Sequence, residues 1–264
     1  MNARMLLFIP AYRCAPQIPR VLAKFKPEWQ ELFDEILVID NRSPDDTVTQ
    51  AVEAAKKLEQ SGYRINVLRN TENVSLGGTH KVAFNYALDN GYHYVAVLHG
   101  DDQGDVQDLA REIARGDFTR FDYYLGARFM KGSKLVGYSR WRIFGNLVFN
   151  FLFSLVVRRR LYDLGSGINI FSVRALQDRF YLSFPNRLTF NYYFTLRMCA
   201  DHKRFAYFPH TWSEDDQISN LKLFRAVKEI IFLLMKYAVS GKQLFARLPP
   251  DNHRYSYEVV YASA

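Results

Sequence analysis

Cysteine is scarce in this chain of 264 residues, which has Cys14 and Cys199 and no others. Two cysteines so far apart form neither a disulfide framework nor a zinc-binding pattern, so the sequence indicates a reducing compartment. Two glycine-rich phosphate-binding patterns are also missing. No G-x-G-x-x-G follows the first apolar stretch and no G-x-x-x-x-G-K-[ST] occurs. Their absence argues against a dinucleotide-dependent dehydrogenase and against a P-loop enzyme.

An apolar run long enough to cross a bilayer is missing as well. The best candidate, 143–157, has fifteen residues and includes Asn146 and Asn150, whereas a spanning helix needs about 20 apolar residues. The short stretch 6–9 is too brief for a signal-peptide core and is followed by Pro10. We therefore expect neither a spanning helix nor a cleaved leader.

The composition is that of a folded, basic protein. Hydrophobic residues make up 48% and charged residues 23%, and the net charge is +8. Such a charge favours an anionic partner, which can be a nucleotide, a phospholipid surface or nucleic acid. Charge alone does not choose among these three.

Strand and helix signals alternate along the first two thirds of the chain, a pattern typical of parallel βαβ sheets. The predicted strands are 5–9, 35–39, 64–68, 94–98 and 123–126. Helices are predicted to start after Ser43, at Gly77 and after Asp105, because each position carries capping or helix-opening residues. The fold class is therefore α/β, with a mostly parallel central sheet flanked by helices.

Polar residues follow the apolar strand 94–98 without a gap. They are His99, Asp101, Asp102, Gln103 and Asp105. In open α/β sheets the ligand crevice lies outside the carboxyl ends of the strands, so this cluster is a candidate site. The alternative is a turn at Gly100 followed by a helix cap.

A second strand also ends in an acid, because 37–39 runs into Asp40 and Asn41. A carboxylate at one strand end can accept hydrogen bonds from a base or ribose. A carboxylate at another strand end can hold a divalent cation that screens a diphosphate. The repetition favours a nucleotide site.

Five segments in order carry a specific resemblance: 9–12 (Ile-Pro-Ala-Tyr), 38–47, 73–81, 98–103 and 125–128. Together they resemble the inverting family-two glycosyltransferases of the GT-A fold, nearest to the dolichyl-phosphate-mannose-synthase-like branch, over roughly 5–235. The resemblance implies a glycosyltransferase domain at 1–246, followed by a polar tail at 247–264. Within that domain, 1–128 would bind the nucleotide sugar, and 129–246 would form the acceptor side with amphipathic helices.

The resemblance implies transfer of a sugar from a nucleoside diphosphate sugar to a membrane-associated acceptor, first of all a polyprenyl phosphate, with inversion. One alternative is extension of a lipid-linked or surface saccharide on a sugar hydroxyl. Another is a non-catalytic module that binds a nucleotide sugar or docks on a membrane. Nucleic acid is not an expected partner.

The resemblance also assigns roles to individual residues of the donor side. The expected nucleotide-sugar ligands are Pro10, Ala11, Tyr12, Asp40, Asn41, Gly77, Lys81 and Gly100. A divalent cation, Mn²⁺ or Mg²⁺, is expected at Asp101, with His99 and Gln103 as further ligands. His99 stands where the family has the first aspartate of its metal motif, and imidazole suits manganese better than magnesium. The alternative for His99 is a half-buried histidine bonded to a backbone carbonyl.

On the acceptor side, Arg128 and Arg140 are expected to bind the acceptor phosphate and to act in catalysis with Asp101. Further acceptor ligands implied by the resemblance are Asp163, Ser166, Gly167, Ser219 and Lys222. Asp216 is the candidate base, although three acids in a row before a helix also suit a solvated cap.

Two apolar segments predict contact with a membrane. The segment 143–157 is flanked by arginines that can rest on lipid phosphates, although a core helix with a basic end is the alternative. The segment 221–245 has helical periodicity and can lie against lipid or against a second subunit of a homodimer. These features predict a peripheral protein on the cytoplasmic face of a membrane.

Overall fold

The computed structural model describes residues 3–214, 223–249 and 252–263. The strands are β1 (Met5–Ala11), β2 (Glu35–Asp40), β3 (Ile65–Asn70), β4 (Tyr94–Leu98), β5 (Tyr123–Ala127), β6 (Lys134–Val136), β7 (Ile168–Ser172), β8 (Phe205–Pro209), β9 (Thr211–Ser213) and β10 (Tyr257–Ala262). The helices are α1 (Ile18–Ala23), α2 (Thr47–Gln60), α3 (Ser75–Asp89), α4 (Val106–Arg115), α5 (Arg140–Val157), α6 (Phe190–Ala200), α7 (Leu223–Ser240) and α8 (Gln243–Ala246).

Eight of these strands form a central sheet in the order β10-β3-β2-β1-β4-β7-β5-β8. Strands β1 to β4 pair in parallel, while β7 runs antiparallel between β4 and β5. This arrangement confirms the predicted α/β class with a mostly parallel sheet flanked by helices. The five predicted strands match β1 to β5 within one or two residues at each end.

The middle of the sheet is apolar because it is covered on both faces. Every residue of β1 and β2 is buried. One face packs against apolar side chains of α3, α6 and α7, and the other against those of α1, α2 and α4. Polar side chains of these central strands are therefore concentrated at the strand ends.

The predicted polar tail contributes a strand, which the sequence did not indicate. β10 pairs antiparallel with β3 as the edge strand of the sheet. Before it, the Tyr255 hydroxyl contacts Nζ of Lys81 at 3.0 Å and Oδ1 of Asn186 at 2.7 Å. The tail therefore joins α3 to the segment 182–189 on the acceptor half.

Candidate active site

The ends of β1 and β4 meet closely at one edge of the sheet. The amide of Gly100 donates to the carbonyl of Pro10 at 3.0 Å. A Cβ at position 100 would lie 3.1 Å from that same oxygen, which is a tight contact, so glycine suits this approach. The structure thus brings the predicted donor segment, residues 10–12, next to the predicted metal motif.

His99 and Asp101 lie side by side at this edge, with His99 Nδ1 4.0 Å from Asp101 Oδ2. Burial lowers the pKa of His99 to about 4, assisted by the positive charge of Arg128. Burial also raises the pKa of Asp101 to about 6. At neutral pH the pair therefore offers a neutral imidazole and a carboxylate, which are both metal ligands.

The neighbouring Asp102 has a different environment. It has a left-handed backbone (φ 61°), and its carboxylate pairs with Arg20 Nε at 2.9 Å and Lys24 Nζ at 2.5 Å. These cations come from α1 and the residue after it. Asp102 therefore ties α1 to the motif, while Asp101 remains beside His99.

The donor set at this edge fits a divalent cation that shares its ligands with a substrate. In 3–214, 223–249 and 252–263 no group of three or more His, Cys, Asp or Glu residues is placed to hold a metal. The backbone of Gln103 is engaged, because its amide donates to Asp101 and its carbonyl accepts from Ser213. Two protein ligands would leave positions for phosphate oxygens and water, the usual arrangement for a cation bound with a nucleotide.

Asp40 and Asn41 lie at the end of β2, but they face inward. Asp40 is fully buried, and its carboxylate accepts from the Ser43 amide and lies 3.3 Å from Arg69 Nε. Asn41 accepts from the amide of Val74. In this conformation both residues shape the loops around the site, which differs from the direct nucleotide contact expected of them.

Gly77 and Lys81, also expected to contact the nucleotide, are engaged elsewhere. The amide of Gly77 donates to the carbonyl of Asn186 at 2.7 Å, and a Cβ there would lie 2.6 Å from Cβ of Phe190. The Lys81 ammonium is buried and donates to the carbonyls of Leu182 and Phe184. In this conformation both residues connect α3 to the acceptor half.

Arg128 and Asp163 were expected to bind the acceptor separately, but they bind each other. Nε and Nη2 of Arg128 donate to the two carboxylate oxygens at 2.7 and 2.8 Å, and the Arg128 amide donates at 2.9 Å. Burial alone would raise the pKa of Asp163, but the guanidinium and these hydrogen bonds hold it below its usual range. The guanidinium edge suited to a phosphate is thus already occupied in this conformation.

Ser166 and Gly167 lie between this ion pair and the metal motif. Ser166 Oγ is 2.9 Å from Nε2 of His210. A Cβ at Gly167 would lie 3.0 Å from the His99 ring and 3.1 Å from the Trp212 ring. Gly167 therefore allows both rings to approach the strand end.

Arg140 is exposed at the start of α5 and is available to a ligand. Asp216, Ser219 and Lys222 lie outside the described residues. Glu214, the residue after β9, pairs with Arg142 Nη1 at 2.5 Å and so ties the end of β9 to α5.

Exposed apolar side chains are concentrated on α5 and α7, and we call this region the α5/α7 surface. Its members are Trp141, Phe144, Leu147, Val148, Phe151, Leu152, Leu155, Ile231, Phe232, Met235 and Val239. Trp141 is 84% and Val239 90% exposed. Among the described helices, α5 has the length and apolar composition to cross a membrane, and 11% of it is buried inside the protein. This differs from the expectation of no such helix, because α5 extends the apolar run 143–157 to 18 residues.

Sequence reasoning missed Trp212 as a wall of the site. Its ring lies 5.1 Å from the Arg128 guanidinium. Residue 212 bridges to Gly104, so β9 runs against the metal motif. No local pattern around Trp212 signals this role, because the contact joins segments more than 100 residues apart.

Comparisons with known proteins agree with this architecture. The profile described as "Glycosyl transferase family 2" matches residues 7–180. Among curated proteins, none matches.

Several solved structures share the fold. The glucosyl-3-phosphoglycerate synthase from Mycobacterium tuberculosis, in complex with Mn²⁺, UDP-glucose and phosphoglyceric acid, is similar with a TM-score of 0.62 and 16% identity, covering 90% of this chain and 80% of that one. TarS of S. aureus, in complex with UDP-GlcNAc, has a TM-score of 0.58 and 16% identity, covering 90% and 67%. A mycobacterial protein has a TM-score of 0.65 and 13% identity, covering 98% and 84%.

Proposed function

The chain belongs to glycosyltransferase family 2, and from that premise we propose that it transfers a sugar from a UDP-sugar to an acceptor held at a membrane surface, with inversion. The observation that carries the transferase part is the placement of His99 and Asp101 beside the 10–12 segment at one strand edge. The choice of UDP is supported by structures of similar fold that bind UDP-sugars.

A divalent cation held by Asp101 and His99 would supply positive charge to the leaving diphosphate. Manganese is the ion we propose, because imidazole is a poor ligand for magnesium and because the similar synthase structure contains Mn²⁺. The protein's own part is to hold these two ligands at the end of β4. Asp102 assists by fixing α1 against the motif.

Membrane attachment is supported by the α5/α7 surface. A concentration of large exposed apolar side chains on a folded protein marks an interaction site. Arg140 precedes the apolar part of α5 and Arg158 and Arg160 follow it, all three exposed, so both ends of the helix can contact anionic headgroups. We propose peripheral attachment to the cytoplasmic face through this surface.

The pairing of Arg128 with Asp163 bears on which acceptor atom reacts. A polyprenyl phosphate, the acceptor implied by the resemblance, would need guanidinium groups free to bind it, and Arg140 alone of the predicted pair is exposed. A sugar hydroxyl on a lipid-linked saccharide needs no such clamp, but it needs a base. The geometry therefore favours the hydroxyl acceptor. Asp216, which lies outside the described residues, is the base that we propose on the resemblance.

The assay that tests this function offers UDP-sugars with Mn²⁺ to the enzyme on liposomes that contain either polyprenyl phosphate or a lipid-linked saccharide. We expect transfer to the saccharide. If the enzyme transfers the sugar to polyprenyl phosphate and Arg140→Ala abolishes that transfer, the acceptor is polyprenyl phosphate and Arg140 binds it. If the protein binds UDP-sugars but neither transfers nor hydrolyses them, it is a non-catalytic binding module.

Attachment is measured separately by sedimentation with anionic and neutral liposomes. Phe144→Ser with Phe151→Ser should lower the bound fraction, because both side chains are more than half exposed on α5. Leu188→Ser, an exposed apolar residue outside the two helices, is the matched control. Unchanged liposome binding together with loss of a dimer in the double variant would assign the surface to a second subunit.

A further inference from the structure

A cavity of about 600 Å³ lies apart from the metal motif, between the start of α3 and α7. Its walls are residues 72–75, residues 185–187, Thr189, Tyr193, one side of α7 and His253. We call it the α3/α7 cavity. Its size is within the range of about 300–1,000 Å³ that is typical of small-molecule sites. None of the residues expected to bind donor or acceptor lines it.

The charges on the cavity walls are balanced. Arg187 Nη1 lies 3.6 Å from Glu229 Oε1, and His253 Nε2 lies 3.5 Å from Glu72 Oε1. Lys236 also lines the cavity, so an anion placed here would meet the two carboxylates together with the two cations, Arg187 and Lys236, that balance them. A neutral ligand meets no repulsion from the carboxylates, and its hydroxyl groups can donate to the carboxylates while the guanidinium donates to them.

Apolar and amide groups complete the lining. Tyr193 and Phe232 provide apolar ring surface, and Nζ of Lys236 lies 4.4 Å from the centre of the Phe232 ring. Asn73 and Thr189 provide short polar groups. Carboxylates and amides beside an aromatic ring suit a pyranose, because its hydroxyls need hydrogen-bond partners and its C–H face is apolar. A lipid chain would leave these polar groups without partners.

The wall formed by Asn186 is held in place from two sides. Its side-chain oxygen accepts from the Tyr255 hydroxyl at 2.7 Å, and its carbonyl accepts from the amides of Gly77 and Gly78. A wall fixed before the ligand arrives loses little entropy on binding. The cavity is thus preformed by contacts between α3, the acceptor half and the C-terminal tail.

Contacts link the cavity to the end of β2 and to the α5/α7 surface. Asn73 on its wall accepts from Asn41 Nδ2 at 3.1 Å, and Asn41 follows the end of β2 on the donor side. Phe232 belongs to the cavity wall and to the α5/α7 surface. We infer that the α3/α7 cavity binds the saccharide portion of the acceptor, an uncharged glycan whose lipid rests on the α5/α7 surface. That the bound glycan is the acceptor rests on the proposed function, but glycan binding to the cavity can be tested without any activity.

The test uses the full chain and saturation-transfer-difference NMR with methyl α-glucoside, methyl β-galactoside and cellobiose. Saturating UDP with Mn²⁺ keeps the donor site occupied. We expect at least one of these probes to bind, and Phe232→Ala and Glu229→Gln to weaken it about tenfold, the loss that follows when roughly 1.4 kcal/mol of contact is removed. Ile231→Ala, next to Phe232 on α7 but outside the cavity, is the matched control and should bind as the parent does.

Three outcomes overturn the inference: no probe binds, binding is unaffected by both cavity variants, or glucose 6-phosphate binds more tightly than the uncharged probes. Free glycan and lipid-linked glycan are then compared as acceptors on liposomes. If Phe232→Ala lowers transfer to the free and to the lipid-linked glycan equally, the result supports glycan binding in the cavity. If it lowers transfer to the lipid-linked glycan alone, Phe232 contacts the membrane instead. If the probes bind but the protein never turns over a UDP-sugar, glycan binding in the cavity is supported and the proposed function is wrong.

Discussion

At the scale of single residues, the metal motif separates two adjacent acids by what each contacts. Asp101 lies beside His99, and Asp102 pairs with two cations from the α1 region. Asp101→Ala should lower transfer roughly a hundredfold or more, because a cation at a leaving diphosphate contributes several kcal/mol to the transition state. Asp102→Asn, which keeps a residue tolerant of its left-handed backbone, should lose much less. Released UDP is the readout, and near-normal turnover by a folded Asp101→Ala protein would exclude a metal role for Asp101.

His99 should decide which cation works. His99→Asp replaces imidazole with an oxygen ligand, so activity with Mg²⁺ relative to Mn²⁺ should rise. The ratio is measured from initial rates with each ion at saturation. Leu98→Ile, a buried neighbour in β4, controls for disturbance of the strand end. A ratio that does not change would leave His99 as a packing residue against Gly167.

Arg128 is expected to stabilise the fold more than it binds substrate. Arg128→Met leaves the buried Asp163 without its partner and should lower the free energy of unfolding by about 3–5 kcal/mol. The pKa of Asp163 in the folded state lies below its ordinary 3.8, so the pair stabilises fully above that pH and loses its effect as pH falls through the lower, folded-state value. The difference between parent and variant in urea unfolding should therefore narrow in acid.

A double change provides the control for Arg128. Arg128→Met with Asp163→Leu removes both charges and should recover much of the lost stability. If the Arg128→Met variant is as stable as the parent but inactive, Arg128 does not have a structural role and instead binds the acceptor.

At the scale of elements, the C-terminal segment joins parts of the molecule that are far apart in sequence. Tyr255→Phe removes hydrogen bonds to Lys81 and Asn186 and should cost about 1–3 kcal/mol, because it leaves a buried ammonium with fewer partners. Tyr257→Phe is the matched control, since no hydroxyl hydrogen bond is found for Tyr257 among the described residues. Equal unfolding midpoints for the two variants would show that the segment is not coupled to α3.

At the scale of the whole molecule, the apolar strands and their polar ends were predictable, because burial on both faces leaves a continuous apolar run in the sequence. β1, β2 and β4 and the proximity of 10–12 to 99–101 follow from that rule. The orientation of side chains at the strand ends was not predictable. Tertiary packing alone brings Arg128 next to Asp163, which is 35 positions away. The same is true of Lys81 and the carbonyl groups that it contacts. β10 escaped prediction for the same reason, since its register depends on β3.

During synthesis, β3 is translated well before β10, the strand that pairs with its edge. Thr71 and Ser256, which join the two strands at one end, are 185 residues apart. At about 5–20 residues per second on the ribosome, the open edge of β3 waits roughly 10–40 s for its partner to be translated. During that interval the nascent sheet presents an unpaired edge, which is a template for pairing with another chain. Crowded polysomes that translate this message are therefore where its misassembly should begin, and where a chaperone that shields β3 would raise the yield of folded enzyme.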